Sequence, residues 1–129
     1  MAVNLHILKA SGRLYQFEPQ IQRAFETAAK KVEQKLALPD IDVVVIDDPS
    51  SAIPETGVGG NAPSAHHVSI FIDPLHAGLA EKIVSEIEST VTHELHHAAR
   101  WHTIGYGKTL LEACVSEGLA DHFDIEVNA

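Results

Sequence analysis

A chain of 129 residues is the size of one domain and long enough to bury one modest hydrophobic core. Its 45% hydrophobic and 21% charged content excludes a disordered chain, and its longest purely apolar run, Val43–Ile46, is far too short to span a bilayer. Eighteen acidic against nine basic residues, a formal charge of −9, argue against a sequence-independent grip on nucleic acid and against docking on an anionic membrane.

In chain order, the N-terminal MAVNLHILKASGR has neither a basic n-region nor a small-residue cleavage site, so a soluble, cytoplasmic protein is expected. VNLHILKA, residues 3–10, alternates loosely and reads as a first strand closed by a turn at Ser11-Gly12. Residues 18–38 place Ile21, Ala24, Phe25, Ala28, Val32 and Leu36 at helical spacing, which predicts one buried face; Pro19 suits the first turn and Pro39 ends the element. IDVVVID, residues 41–47, is short and β-branched, the composition of a buried central strand. Residues 48–66 hold three prolines, three glycines and almost no periodicity. They read as a long loop, which either belongs to a site or is a plain surface excursion.

HVSIFID, residues 67–73, alternates Val68, Ile70 and Ile72 against Ser69 and Phe71, as a strand exposed on one face does. Leu79, Ile83, Ile87, Val91 and Leu95 predict a long helix from Leu79 to Thr103, broken by Gly105 and Gly107. A last helix is expected within residues 108–125, using Leu110, Leu111, Ala113, Cys114, Val115, Leu119 and Phe123. Gly118 inside it costs about 1 kcal/mol of helix propensity relative to Ala, through tight packing near a site or as a tolerated defect. Cys114 is the only cysteine, which excludes an intrachain disulfide and a zinc site built on several thiolates. Its apolar neighbours predict a buried, inert thiol. No repeat or boundary divides the chain, so residues 1–129 read as a single domain.

Nine histidines in so short a chain invite a search for a metal site. His93, Glu94 and His97 fit H-E-x-x-H within the long predicted helix. Residues four apart lie about one helical turn apart, so both imidazoles leave the same face and can share one ion. Glu94 sits roughly 100° around, where it can reach a water on that ion without binding the ion itself. A zinc site that does chemistry needs a third protein ligand. His102 is about 140° around from His97 and cannot join it. Arg100 and Thr103 occupy the positions where the metzincin extension needs Gly and His. Glu117, twenty residues after His97, and Asp121, four further on, share a face of the last helix. One of these carboxylates can bind the metal while the other accepts an N–H from a ligand imidazole. His96 lies about 60° off the ligand axis and reads as packed or solvated. Glu112 lacks an Asp four residues later and reads as a solvated or salt-bridged group. His6 and His76 read as core or surface residues. His66 and His67 either line the cleft mouth or start a strand.

HELHH followed by EGLAD resembles the gluzincin metallopeptidases, the thermolysin-type clan with two His and one Glu on zinc. THELHHAARW with LLEACVSEGLADHF is most similar to the zinc-dependent proteases of the DUF2268 family, and in size the chain resembles the single-domain minigluzincins. The close resemblance covers residues 85–123. It implies one Zn2+ held by His93, His97 and Glu117, with Glu94 as general base and Asp121 supporting His93. It also implies an α+β, zincin-like fold: a mixed sheet of three to four strands packed on a backing helix and two active-site helices. By the same resemblance residues 67–73 become the edge strand beside the cleft, where a peptide or protein substrate would add antiparallel. No nucleic acid and no membrane are expected as partners, and a monomer is compatible with the chain. Thermolysin-type enzymes carry transition-state donors, a His and a Tyr, in a C-terminal domain. The sequence runs only eight residues past Asp121, which leaves Tyr106, His67, His102 and His122 as substitutes, none selected by its spacing. That shortfall keeps a second reading open, a catalytically latent zinc-binding module acting as a regulator or partner-binding domain. Glu94 opposes it, because a pure binding site has no use for a base there.

Overall fold

The computed structural model describes residues 2–103 and 110–128. Strand β1 (Val3–Ile7) leads through a 3-10 turn at Tyr15–Phe17 into helix α1 (Glu18–Glu33), followed by β2 (Ile41–Asp47), β3 (Val58–Ser64), β4 (His67–Ile72), α2 (Leu79–Thr103) and α3 (Leu110–Asn128). The sheet is mixed, in the order β1-β2-β4-β3. β1, β2 and β4 run parallel, and β3 pairs antiparallel to β4 at the edge. The result is a small α+β domain with four strands, a backing helix and two further helices.

The periodicities set the core. Leu5, Val43 and Val68 line up across three parallel strands, as do Ile7, Val45 and Ile70. Helix α1 buries Ile21, Ala24, Phe25, Ala28, Ala29 and Val32, the face its spacing predicts. It ends at Glu33 rather than continuing to Leu38; the Lys35 N–H bonds back only three residues to the Val32 carbonyl, which tightens the last turn. Helix α2 buries Leu79, Ile83, Ile87, Val91 and Leu95. Each such side chain contributes roughly 1.5–3 kcal/mol when fully removed from water. Among the described residues no helix is long and apolar enough to cross a membrane.

Three further expectations need correction. The first strand stops at Ile7, where Leu8 already turns half-exposed. The long loop conceals β3, whose sequence VGGNAPS has almost no strand propensity. It is an edge strand, with an irregularity between Asn61 and Ser64 that accommodates Pro63, and it persists through pairing with β4 and packing against α2. Residues 67–72 are therefore not the edge. They lie between β2 and β3 with backbone groups engaged on both sides, so no peptide can add to them. The turn into β3 rests on Gly57, whose φ of 77° favours glycine and whose missing side chain leaves room for His76.

Candidate metal centre

α2 uses two opposite faces. Val91, Leu95 and Ala98 enter the core, while His93 and His97 point away from it toward α3. α3 runs antiparallel, because Glu117 meets His97, Asp121 meets His93 and Asp124 meets Ser89, partners that descend α2 as α3 ascends. β3 closes the third side at Gly60. A Cβ there would stand 2.9 Å from Thr90 Cγ2 and 3.1 Å from Glu94 Cγ, so glycine is what lets the strand lie this close to the helix. The three elements enclose a cleft of about 660 Å³.

Three atoms converge in it. His93 Nε2 is 2.9 Å from Glu117 Oε1, His97 Nε2 is 3.0 Å from the same oxygen, and the two nitrogens are 3.1 Å apart. Hydrogen bonds alone cannot satisfy this triangle. The carboxylate oxygen accepts and each nitrogen either donates or accepts. With Glu117 ionised, at least one of the three mutual contacts pairs donor with donor or acceptor with acceptor, whichever protons the two rings carry. A cation among them satisfies all three lone pairs at once. Ligands bonded at about 2.0–2.1 Å in a tetrahedron lie roughly 3.3 Å apart, a few tenths of an ångström from the separations here. The residues present thus fit a zinc ion.

The surroundings agree with that chemistry. Asp121 Oδ1 stands 2.9 Å from His93 Nδ1, which fixes the ring and directs its Nε2 at the triangle. Burial holds His97 below the ordinary imidazole range against the pull of Glu117, which favours the neutral, ligating ring. Glu94 is buried but outside the triangle, with Oε2 4.0 Å from His93 Nε2. Burial pushes its carboxyl up to about 7; His93 opposes this, and Glu117 and Asp121 reinforce it. A carboxyl kept half-ionised near neutrality at the wall of a cleft is poised to exchange protons. Glu86 and Asp124 also line the cleft, and no Lys or Arg does so among the described residues.

A protein-family comparison fits this arrangement. The family model DUF2268, described as a predicted Zn-dependent protease, matches residues 21–128. The chain belongs to that family. No curated protein and no solved structure matches it.

The other candidate residues of this DUF2268 protein lie elsewhere. His96 packs against the Phe123 ring, with centroids 5.1 Å apart, and burial lowers its pKa. His6 pairs with Asp42 on the strand surface, His66 sits by the Asp40 carbonyl, and His76 by that of Pro54. His67 contacts Ser69 at the start of β4 and His122 is exposed on α3; neither lines the described cleft. Tyr106 and the side chain of His102 lie outside the described residues. Glu112 is exposed near the start of α3. Cys114 is exposed too, not buried, because among the described residues α3 buries the narrow stripe Ser116, Ala120 and Phe123. A Cβ at Gly118 would meet nothing within 4 Å, so that glycine is a tolerated defect rather than a packing requirement.

Two residues of the cleft escape sequence reasoning. Gly60 was hidden in the supposed loop. Trp101 donates its indole N–H to the Ala62 carbonyl at 2.6 Å. Its place four residues after His97, on the same helix face, was a signal that could have found it.

Proposed function

We propose that this protein is a zinc-dependent peptidase in which His93, His97 and Glu117 hold one zinc ion and Glu94 is the general base. The observation that carries the reading is the like-to-like triangle of ligand atoms with a buried, ionisable Glu94 at its side. A zinc ion held by His93, His97 and Glu117 would supply Lewis acidity for a water and a carbonyl. The rest falls to the chain's own groups. Asp121 keeps His93 oriented, and Glu117 brings α3 to the centre. Glu94 takes the proton as the water oxygen attacks the scissile carbonyl carbon. It returns that proton to the nitrogen as the C–N bond breaks, so the amine leaves neutral. β3, the true edge strand, replaces residues 67–73 as the place where an extended substrate backbone would add, through Gly60 opposite Glu94.

Glu94→Gln tests the reading, since it keeps shape and hydrogen bonding but cannot carry the proton. Zinc-loaded protein should cleave members of a peptide library, and the variant should retain stoichiometric zinc while losing on the order of 10²–10⁴ in turnover. Full activity in the variant would sink the mechanism. Absence of cleavage by the wild type across the library would favour the latent zinc-binding module instead.

A further inference from the structure

The edge strand that faces the cleft is almost entirely capped. Antiparallel pairing alternates residues that bond to the neighbouring strand with residues that turn outward. The Asp73 N–H bonds to the Gly57 carbonyl at 2.9 Å, so Gly57, Gly59 and Asn61 face β4 while Val58 and Gly60 face out. Both outward groups of Val58 are engaged: its N–H donates to Thr56 Oγ1 at 3.2 Å, and its carbonyl accepts from Thr56 Oγ1 at 3.0 Å. At the other end the Ala62 carbonyl is taken by the Trp101 indole. Between these caps lies Gly60, next to Glu94.

The two caps differ. At Val58 the cap comes from the strand's own preceding turn. At Ala62 it is a large ring from α2 that bridges to β3 and forms part of the cleft wall, though 41% exposed. Direction follows from the same contacts. β3 and α2 run alongside in the same sense, Gly60 level with Thr90 and Glu94, and Ala62 level with Trp101. A peptide lying antiparallel to β3 therefore has its N-terminal side toward Trp101.

We propose that Trp101 is a specificity-determining residue that closes this end of the cleft, so that the protein accepts at most about two residues on the N-terminal side of the bond it cuts. This rests on the peptidase reading. The count comes from strand geometry: the substrate residue paired with Gly60 flanks the cut, and the next paired position, two residues earlier, would need the Ala62 carbonyl and the space of the indole. Helix geometry agrees, since Glu94 and Trp101 are separated by seven residues of α2, about 10 Å, and part of that span is filled by the ring itself.

The test uses the zinc-loaded protein and a ladder of peptides that share one cleavable bond and carry one, two, three or five residues before it. In the wild type kcat/KM should fall at least tenfold between two and three residues. Trp101→Ala should abolish that step, and Trp101→Phe, which retains a ring, should keep part of it. A purely structural tryptophan would instead lower the rate for every peptide alike. Trp101 is the only tryptophan of the chain, so its fluorescence reports binding independently of turnover. In zinc-loaded Glu94→Gln, short members of the ladder should perturb the emission at lower concentration than long ones. Cleavage without dependence on ladder length, or a step that survives in Trp101→Ala, overturns the proposal and leaves the peptidase reading intact. Length-ordered binding without cleavage by the wild type does the reverse.

Discussion

At the scale of single residues, the centre separates carboxylates that look alike in sequence. Glu94, Glu112, Glu117 and Asp121 fall within twenty-eight positions, yet only Glu117 Oε1 comes within 3.0 Å of both imidazoles. Asp121 acts behind His93, and its side chain is 70% exposed, so water competes for its hydrogen bond. In the proposed site, removing Glu117 would take away one of three zinc contacts, whereas removing Asp121 would only loosen one ring. Competition with a chromophoric chelator should therefore rank the variants. Glu117→Ala loses zinc most readily, Asp121→Asn is weakened about tenfold, and Glu112→Ala matches the wild type. An Asp121→Asn defect as large as that of Glu117→Ala would contradict this assignment.

At the scale of elements, legibility in the sequence depended on whether a signal was periodic or relational. The bounds of α2 follow from Leu79, Ile83, Ile87, Val91 and Leu95, and β2 from its β-branched run, because burial on one face imposes a period. The H-E-x-x-H pair was legible for the same reason. β3 was not, since Gly59, Gly60 and Pro63 serve close approach and a sheet irregularity rather than a period. Nor was the interior position of β4, because strand order is a relation between elements and leaves no trace in alternation. Cys114 misled because the apolar run on α3 is buried, among the described residues, along a narrow stripe that leaves Cys114 outside. A further relational contact ties the segment after β1 to the end of β2. Arg13 grips Asp47 with Nε at 2.8 Å and Nη2 at 2.7 Å, and Ser11 Oγ adds a bond at 2.7 Å. The Arg13 fork holds the Asp47 carboxyl below the usual carboxylate range. A folded-state pKa below the unfolded value of about 3.9 gives stability that is fully present above that pH and lost as pH falls through the folded value. Arg13→Met should thus be less stable than the wild type in urea at neutral pH, with the gap narrowing below about pH 4. Asp48, held low by Ser50 and Ser51, titrates in both proteins and cancels in the difference. A gap of the same size at acid and neutral pH would show that the fork contributes packing rather than charge.

At the scale of the whole molecule, the proposed zinc site would also set how firmly α3 is attached. The sheet, α1 and α2 share one continuous core, to which α3 contributes Phe123 and, at its margin, Val127. Val115, Leu119 and Ile125 remain exposed, so among the described residues α3 commits little apolar area to the core. Polar links from Asp124 and Asn128 to Ser89 and Thr92 secure its C-terminal half. In the other half, among the described residues, Glu117 meets His93 and His97. In the proposed site a cation would join two ligands from α2 to one from α3. Ion binding and helix docking should then be a single linked equilibrium. At a hundredfold excess of zinc over its dissociation constant the folded state gains about 2.7 kcal/mol, which for a chain of this size raises Tm by roughly 10 °C. The gain should disappear with chelator and in Glu117→Ala. Hydrogen exchange locates it: after chelation, α3 amides around Glu117 should lose protection while those of β2 and β4 keep theirs. Equal protection of α3 with and without zinc would mean that the helix docks by packing alone and that the ion merely occupies a site already built.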